Sequence, residues 1–69
     1  MKIGDLVEVN GGYQGVVVGI ELIYPRHPES PPRSLEIMWS GHQPEYAFRN
    51  NNQFSSVSAM AVKRVISRA

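Results

Sequence analysis

Hydrophobic and polar positions alternate along the chain in short runs, and the first two runs lie close to the N-terminus. Residues 3–9 alternate with a period of two, and residues 13–20 are rich in β-branched valine. The residues between them, Asn10, Gly11 and Gly12, are typical of the tight turn in a β-hairpin. The pattern therefore predicts that a hairpin opens a small barrel, with the second strand continuing to Tyr24.

The middle of the chain contains a proline-rich segment followed by another alternating run. Four of the five prolines fall within residues 25–33, where they remove backbone donors and favour a stiff, extended loop. Alternation resumes over residues 34–39. The Ser40-Gly41 pair then predicts a turn, and residues 43–48 a returning strand that completes a second hairpin.

The last part of the chain predicts a loop, a helical turn and a closing strand. Residues 50–53 are polar and turn-prone, and residues 62–66 read as a strand. Residues 55–61 favour a short helical turn capped by Ser55 or Ser56. The whole pattern predicts one all-β domain over residues 1–69, a five-stranded barrel with a short helical turn before the last strand. The expected core comprises Ile3, Val7, Val16, Val18, Ile20, Leu35, Ile37, Trp39, Phe48, Val62 and Val65.

Composition narrows the classes of protein to which the chain belongs. It has no cysteine, which excludes disulfides and thiolate zinc sites and favours a reducing compartment. Neither a signal peptide nor an apolar run of about 20 residues is present, so we expect a cytoplasmic protein without membrane contact. The formal net charge of +1 argues against a partner attracted by long-range electrostatics, although the C-terminal part is locally basic.

Candidate catalytic chemistry is sparse. His27 and His42 are the only histidines, both fall in predicted loops, and neither has a nearby carboxylate at the spacing of a metal site or a general base. Glu36 and Glu45 would face each other across the predicted second hairpin, where such carboxylates more often accompany basic neighbours. We therefore expect no enzymatic activity, no metal and no cofactor.

Several segments together resemble a known family. The resemblance is to small SH3-like barrels of the KOW type, and it lies in residues 3–7, 15–20, 36–41 and 62–67. In sequence, these segments look most similar to small proteins of tailed phages, notably phages of marine cyanobacteria. The resemblance implies an SH3-like fold and binding rather than catalysis, because such barrels serve as ribosomal, transcription-factor and peptide contact modules. The proline-rich loop is longer than the usual KOW connection.

Three classes of function remain open. The first is a protein-binding module, such as a phage protein that contacts a host protein in the host cytoplasm. Its predicted binding residues are Tyr24, Arg26, His27, Pro31, Pro32, Arg33 and Tyr46, since aromatic and arginine side chains are the commonest anchors of interfaces. The second is a nucleic-acid-binding barrel, and its predicted contacts are Lys2, Arg49, Lys63, Arg64 and Arg68. The third is a structural or assembly subunit of a virion that forms homo-oligomers.

Overall fold

A computed structural model describes residues 1–51 and 54–69, without the side chains of residues 49–51. In these ranges the strands are β1 (Leu6–Val9), β2 (Gln14–Leu22), β3 (Pro32–Trp39), β4 (Phe48–Asn51), β5 (Phe54–Ser58) and β6 (Val62–Ser67). They form one antiparallel sheet in the order β4-β5-β3-β2-β1-β6. A 3-10 turn (Ala59–Ala61) precedes β6.

The predicted small all-β fold, with one short helical turn before the last strand, is confirmed. The strands β1, β2, β3 and β6 lie where the sequence predicts strands, and the last strand pairs with the first. The cap of the turn before β6 is Ser58 and not the predicted Ser55 or Ser56, which lie in β5. The Ser58 hydroxyl accepts from the Met60 amide at 3.2 Å. The short strand β4 extends the sheet beyond β5.

The first hairpin forms where the sequence predicts it. Gly11 and Gly12 both have positive φ, at 93° and 86°, which glycine adopts without steric cost. Within the turn, the Val9 amide donates to the Tyr13 carbonyl and the Gly12 amide to the Val9 carbonyl. The two glycines therefore allow β1 and β2 to pair directly.

The predicted second hairpin is wrong. The strand β3 pairs with β5, whereas most of the expected returning strand, residues 43–48, is a loop that precedes β4. Pro44 has no amide hydrogen to donate to a strand partner, and its carbonyl accepts from the Ala47 amide in a local turn. The segment from Phe54 to Ser58, predicted to begin a helical turn, is the strand β5. Of the predicted loop over residues 50–53, residues 50 and 51 belong to β4, and residues 52 and 53 lie outside the described residues.

The core confirms the predicted faces of β1 and β3 but not that of β2. Its buried hydrophobic residues are Val7, Val9, Val17, Leu35, Ile37, Trp39 and Val57, with Ile20, Val62 and Val65 among those packed against them. Of the other expected core residues, Ile3 and Phe48 are exposed, and Val16 and Val18 are only half-buried. A register shift between Val17 and Gly19 interrupts the alternation of β2, so that a pattern of period two assigns the wrong valines.

Both terminal segments meet at the buried side chain of Asp5, which is 1% exposed. Its Oδ1 accepts from the Ala69 amide at 2.8 Å, and its Oδ2 accepts from the Lys2 amide at 3.0 Å. These two backbone donors lower the pKa of Asp5, because they stabilise the carboxylate. The same carboxylate thus holds the ends of the described chain beside β1.

Candidate functional site

The proline-rich loop between β2 and β3 is folded by its own hydrogen bonds. Two consecutive turns form it, since the His27 amide donates to the Tyr24 carbonyl and the Ser30 amide to the His27 carbonyl, both at 2.9 Å. The buried Ser30 hydroxyl accepts from the Tyr24 amide and donates to the Pro31 carbonyl. The Ile23 amide closes the base of the loop on the Pro31 carbonyl. The loop therefore has a network of hydrogen bonds of its own that restrains its backbone.

Three predicted binding residues lie together at the tip of this loop. Tyr24, Arg26 and His27, with Pro25, line an open hollow of about 330 Å³. The rings of Tyr24 and His27 meet edge to face with centroids 6.4 Å apart, and Tyr24 is 62% exposed. The Nδ1 atom of His27 lies 3.5 Å from the Glu29 carboxylate. We call the four residues that line this hollow, Tyr24, Pro25, Arg26 and His27, the loop tip.

The remaining predicted loop residues lie at its base. Pro32 and Arg33 begin β3, and Pro31 precedes them. The Arg33 side chain lies 4.0 Å from the Glu21 carboxylate at the end of β2, and both are exposed. Arg26 at the tip forms no such ion pair within residues 1–51 and 54–69.

Tyr46, the seventh predicted binding residue, lies elsewhere. Its hydroxyl donates to the Asn10 carbonyl at 2.6 Å, and its ring meets that of Tyr13 edge to face at 6.5 Å. Partial burial, with a smaller effect of the Tyr13 hydroxyl, raises the pKa of Tyr46. Because Tyr13 immediately precedes the nine-residue β2 and Tyr24 follows its end, the structure places Tyr46 and the loop tip at opposite ends of that strand.

A separate hollow opens on the solvent face of the sheet next to the loop base. It measures about 180 Å³ and is lined by Gly19, Ile20, Glu21, Ser34, Glu36 and Ser56. Strand pairing aligns these residues, since Glu36 lies opposite both Gly19 and Ser56, and Glu21 lies opposite Ser34. We call it the polar hollow.

The predicted nucleic-acid contacts are only partly available for binding. Arg64 donates from Nε to the Glu8 carboxylate at 2.6 Å, and this hydrogen bond lowers the pKa of Glu8. Lys63 is exposed beside it on β6. Lys2 and Arg68 flank the backbone groups that converge on Asp5. Arg49 lies in β4, and its side chain is outside the described residues.

The two histidines lie in different parts of the fold. His42 lies with Gly41 in a hollow of about 440 Å³ beside the β1–β2 turn, whereas His27 lies at the loop tip. Across the described ranges, no group of three or more histidine, cysteine, aspartate or glutamate residues is arranged to hold a metal ion. The same residues include no helix long and apolar enough to cross a membrane.

Sequence reasoning missed two kinds of residue. Ser30 folds the loop from within, and its position among prolines was the available signal, because serine side chains commonly bond nearby backbone in turns. Glu36 was expected opposite Glu45, but it lies opposite Ser56 on β5. That pairing depends on β5, which the sequence pattern assigns to a helical turn, so the polar hollow could not be foreseen.

Searches against known protein families, curated proteins and solved structures found no match to this chain.

Proposed function

We propose that this protein is a non-enzymatic protein-binding module and that the loop tip is its docking surface. The observation that carries the proposal is that the loop's own hydrogen bonds fix it while the Tyr24 ring stays 62% exposed. A loop ordered in advance loses little conformational entropy on binding, which raises the affinity that a small contact area can reach. Tyrosine and arginine are also the side chains that most often anchor interfaces.

The charge at the loop tip indicates what kind of segment would bind there. His27 and Arg33 each lie beside a carboxylate of this chain, whereas Arg26 forms no ion pair within the described ranges. Tyr24 and Pro25 line the hollow beside Arg26 and His27. An acidic side chain next to an apolar one would satisfy the Arg26 guanidinium and fill the hollow. The partner is therefore a protein segment with an acidic residue beside an apolar residue.

A random-peptide library selected on the immobilised protein tests this proposal. We expect enriched peptides to share an acidic residue beside an apolar one and to lose binding to a variant with Tyr24→Ala and Arg26→Ala. The matched control is Tyr46→Phe, which changes an exposed tyrosine at the other end of β2 and should leave peptide binding intact. Peptides that bind the double variant as tightly as the wild type would place the docking surface elsewhere.

The nucleic-acid alternative is tested in the same preparation. Binding of a fluorescent single-stranded oligonucleotide should weaken steeply with salt if basic side chains neutralise phosphates. Arg64 already donates a hydrogen bond to the Glu8 carboxylate, so fewer basic side chains remain to contact phosphates. Salt-sensitive oligonucleotide binding that Lys63→Glu with Arg64→Glu abolishes, together with failure of the peptide selection, would favour the nucleic-acid function.

A further inference from the structure

The chain itself carries on its surface the kind of segment that the proposed function requires. All six acidic residues lie within the described ranges, and three of them lie beside an arginine or histidine, namely Glu8, Glu21 and Glu29. Asp5 is buried, and Glu36 lies on the face of the sheet between two residues that are buried in the core. Within these ranges, only Glu45 combines an exposed carboxylate without an ion pair with an exposed aromatic neighbour, Tyr46.

Glu45 and Tyr46 lie in a turn between β3 and β4 that the fold holds in place. The Ala47 amide donates to the Pro44 carbonyl across this turn at 3.2 Å, and the Tyr46 hydroxyl donates to the Asn10 carbonyl. The Tyr46 ring is thereby restrained, yet it remains 47% exposed. A restrained side chain loses little rotamer freedom when it binds. We call Glu45 and Tyr46 the acidic turn.

The loop tip and the acidic turn are complementary in charge and in ring chemistry. Arg26 and Glu45 are both exposed, and neither forms an ion pair within the described ranges. A guanidinium and a carboxylate form strong, charge-assisted hydrogen bonds with each other. Each of the two surfaces also presents an exposed tyrosine ring next to its charge, and aromatic rings attract one another edge to face. The acidic turn therefore has the features inferred for a segment that docks at the loop tip.

We propose that the loop tip binds the acidic turn of a second copy of this chain. The inference rests on the proposed function, because it names the partner of that docking surface. The two surfaces lie at opposite ends of β2, whose nine residues extend over up to about 30 Å, so one molecule cannot bring its own acidic turn to its own loop tip. Each contact leaves a loop tip unused on one copy and an acidic turn unused on the other. The copies therefore associate head to tail, and the contact can repeat.

Sedimentation velocity of the full chain over a series of concentrations tests this inference. We expect the average sedimentation coefficient to rise with concentration, with a dissociation constant on the order of 0.1–1 mM for a contact of one ring and one ion pair. Arg26→Glu or Glu45→Arg alone should weaken association about tenfold or more, because each change brings like charges together. Both changes in one chain should restore it, since the pair re-forms with its charges exchanged. Glu36→Arg, which changes another exposed glutamate, is the matched control and should associate as the wild type does.

A mixture of two variants tests whether the contact is head to tail. The variant with Tyr24→Ala and Arg26→Ala keeps its acidic turn, whereas Glu45→Arg keeps its loop tip. Neither variant should associate alone, but an equal mixture should form a dimer and no larger species, because only one contact is intact. Association of either variant alone as strong as that of the wild type would overturn the inference, since the contact would then use another surface.

The outcomes separate this inference from the proposed function. A wild-type chain that stays monomeric at the highest concentration would overturn the inference, and peptides selected at the loop tip would then still support the docking surface. A monomeric chain together with a failed peptide selection would contradict both. Association restored by the exchanged charges, together with a failed peptide selection, would support the inference and show that docking requires the folded acidic turn.

Discussion

The two ends of strand β2 both carry aromatic residues, but they use them differently. Beside its first residue, Tyr13 packs edge to face on Trp39 at 6.4 Å and on Tyr46 at 6.5 Å. The polar atoms of this cluster are also engaged, since the Trp39 indole donates to the Ser55 hydroxyl and Tyr46 donates to Asn10. Beyond the other end, Tyr24 contacts only His27 among the aromatic rings of the described residues.

The difference shows what makes an aromatic residue available to a partner. At the packed end, the Trp39 indole and the Tyr46 hydroxyl have hydrogen-bond partners within the chain, and the Tyr13 ring contacts both rings, so these contacts stabilise the fold. At the loop end, hydrogen bonds to the backbone hold the segment, and the Tyr24 side chain remains exposed. Substitutions at the packed end should therefore lower stability, and those at the loop end should alter binding alone.

The largest effect is expected from Trp39→Ala at the packed end. Trp39 is 7% exposed in the core, and truncating a buried tryptophan costs about 3–5 kcal/mol. Because a domain of this size has a free energy of unfolding of only about 5–10 kcal/mol, the variant should be close to unfolding at 37 °C. Thermal unfolding followed by circular dichroism measures this.

The matched control for Trp39 is Tyr24→Ala at the loop end. Surface substitutions usually change stability by less than about 0.5 kcal/mol, so its Tm should stay close to that of the wild type. Equal losses in the two variants would remove the distinction between the ends.

An intermediate, pH-dependent effect is expected from Asp5→Asn. The folded-state pKa of Asp5 lies below its usual value of 3.8, so the carboxylate stabilises the fold above that pH. At pH 7 the variant should have a lower Tm than the wild type. As the pH falls below 3.8 and through the folded pKa, the wild type loses this contribution and the two Tm values should converge.

Hydrogen exchange sharpens the Asp5 prediction, because the amides of Lys2 and Ala69 donate to its side chain. Both amides should lose protection in Asp5→Asn at pH 7, while the loop amides of Tyr24 and Ser30 should not change. A Tm difference that stays constant down to pH 2 would show that the charge of Asp5 does not contribute.

The smallest effect is expected from removing single hydroxyls. Tyr46→Phe deletes the donor to the Asn10 carbonyl and should cost about 0.5–1 kcal/mol. Tyr24→Phe should cost nothing measurable, because no hydrogen bond of that hydroxyl is present in the described residues. Urea unfolding of the two variants beside the wild type gives the comparison, and a larger loss for Tyr24→Phe would reverse it.

The sequence pattern predicts those elements whose evidence is local. The Gly11-Gly12 turn, the alternation of residues 34–39 and the closing strand can each be inferred within a few residues, because side-chain direction and turn conformation depend on near neighbours. The buried valine of β2 was assigned wrongly, because the register shift between Val17 and Gly19 depends on how β2 bends between its two partner strands. The strand β5 was missed because short serine-rich segments favour neither conformation strongly.

The residues of the candidate site also fall into two groups, those that the local sequence indicates and those that only the fold brings together. The sequence indicated Tyr24, Arg26 and His27 because the prolines around them mark a stiff loop, and the structure brings these residues to one hollow. Tyr46 was grouped with them on residue type alone, but the fold uses it at the other end of β2. The polar hollow depends on residues from β2, β3 and β5, which only strand pairing aligns.

By itself, the sequence determined an all-β barrel, its first turn, the stiffness of its proline-rich loop and the apolar faces of β1 and β3. Only the tertiary structure decided which strand pairs with β3, which valines of β2 are buried and which aromatic residues remain exposed. The physical reason is the separation along the chain over which each interaction acts. Turn chemistry and alternation act between neighbours, whereas burial and strand register depend on contacts between residues distant in the chain.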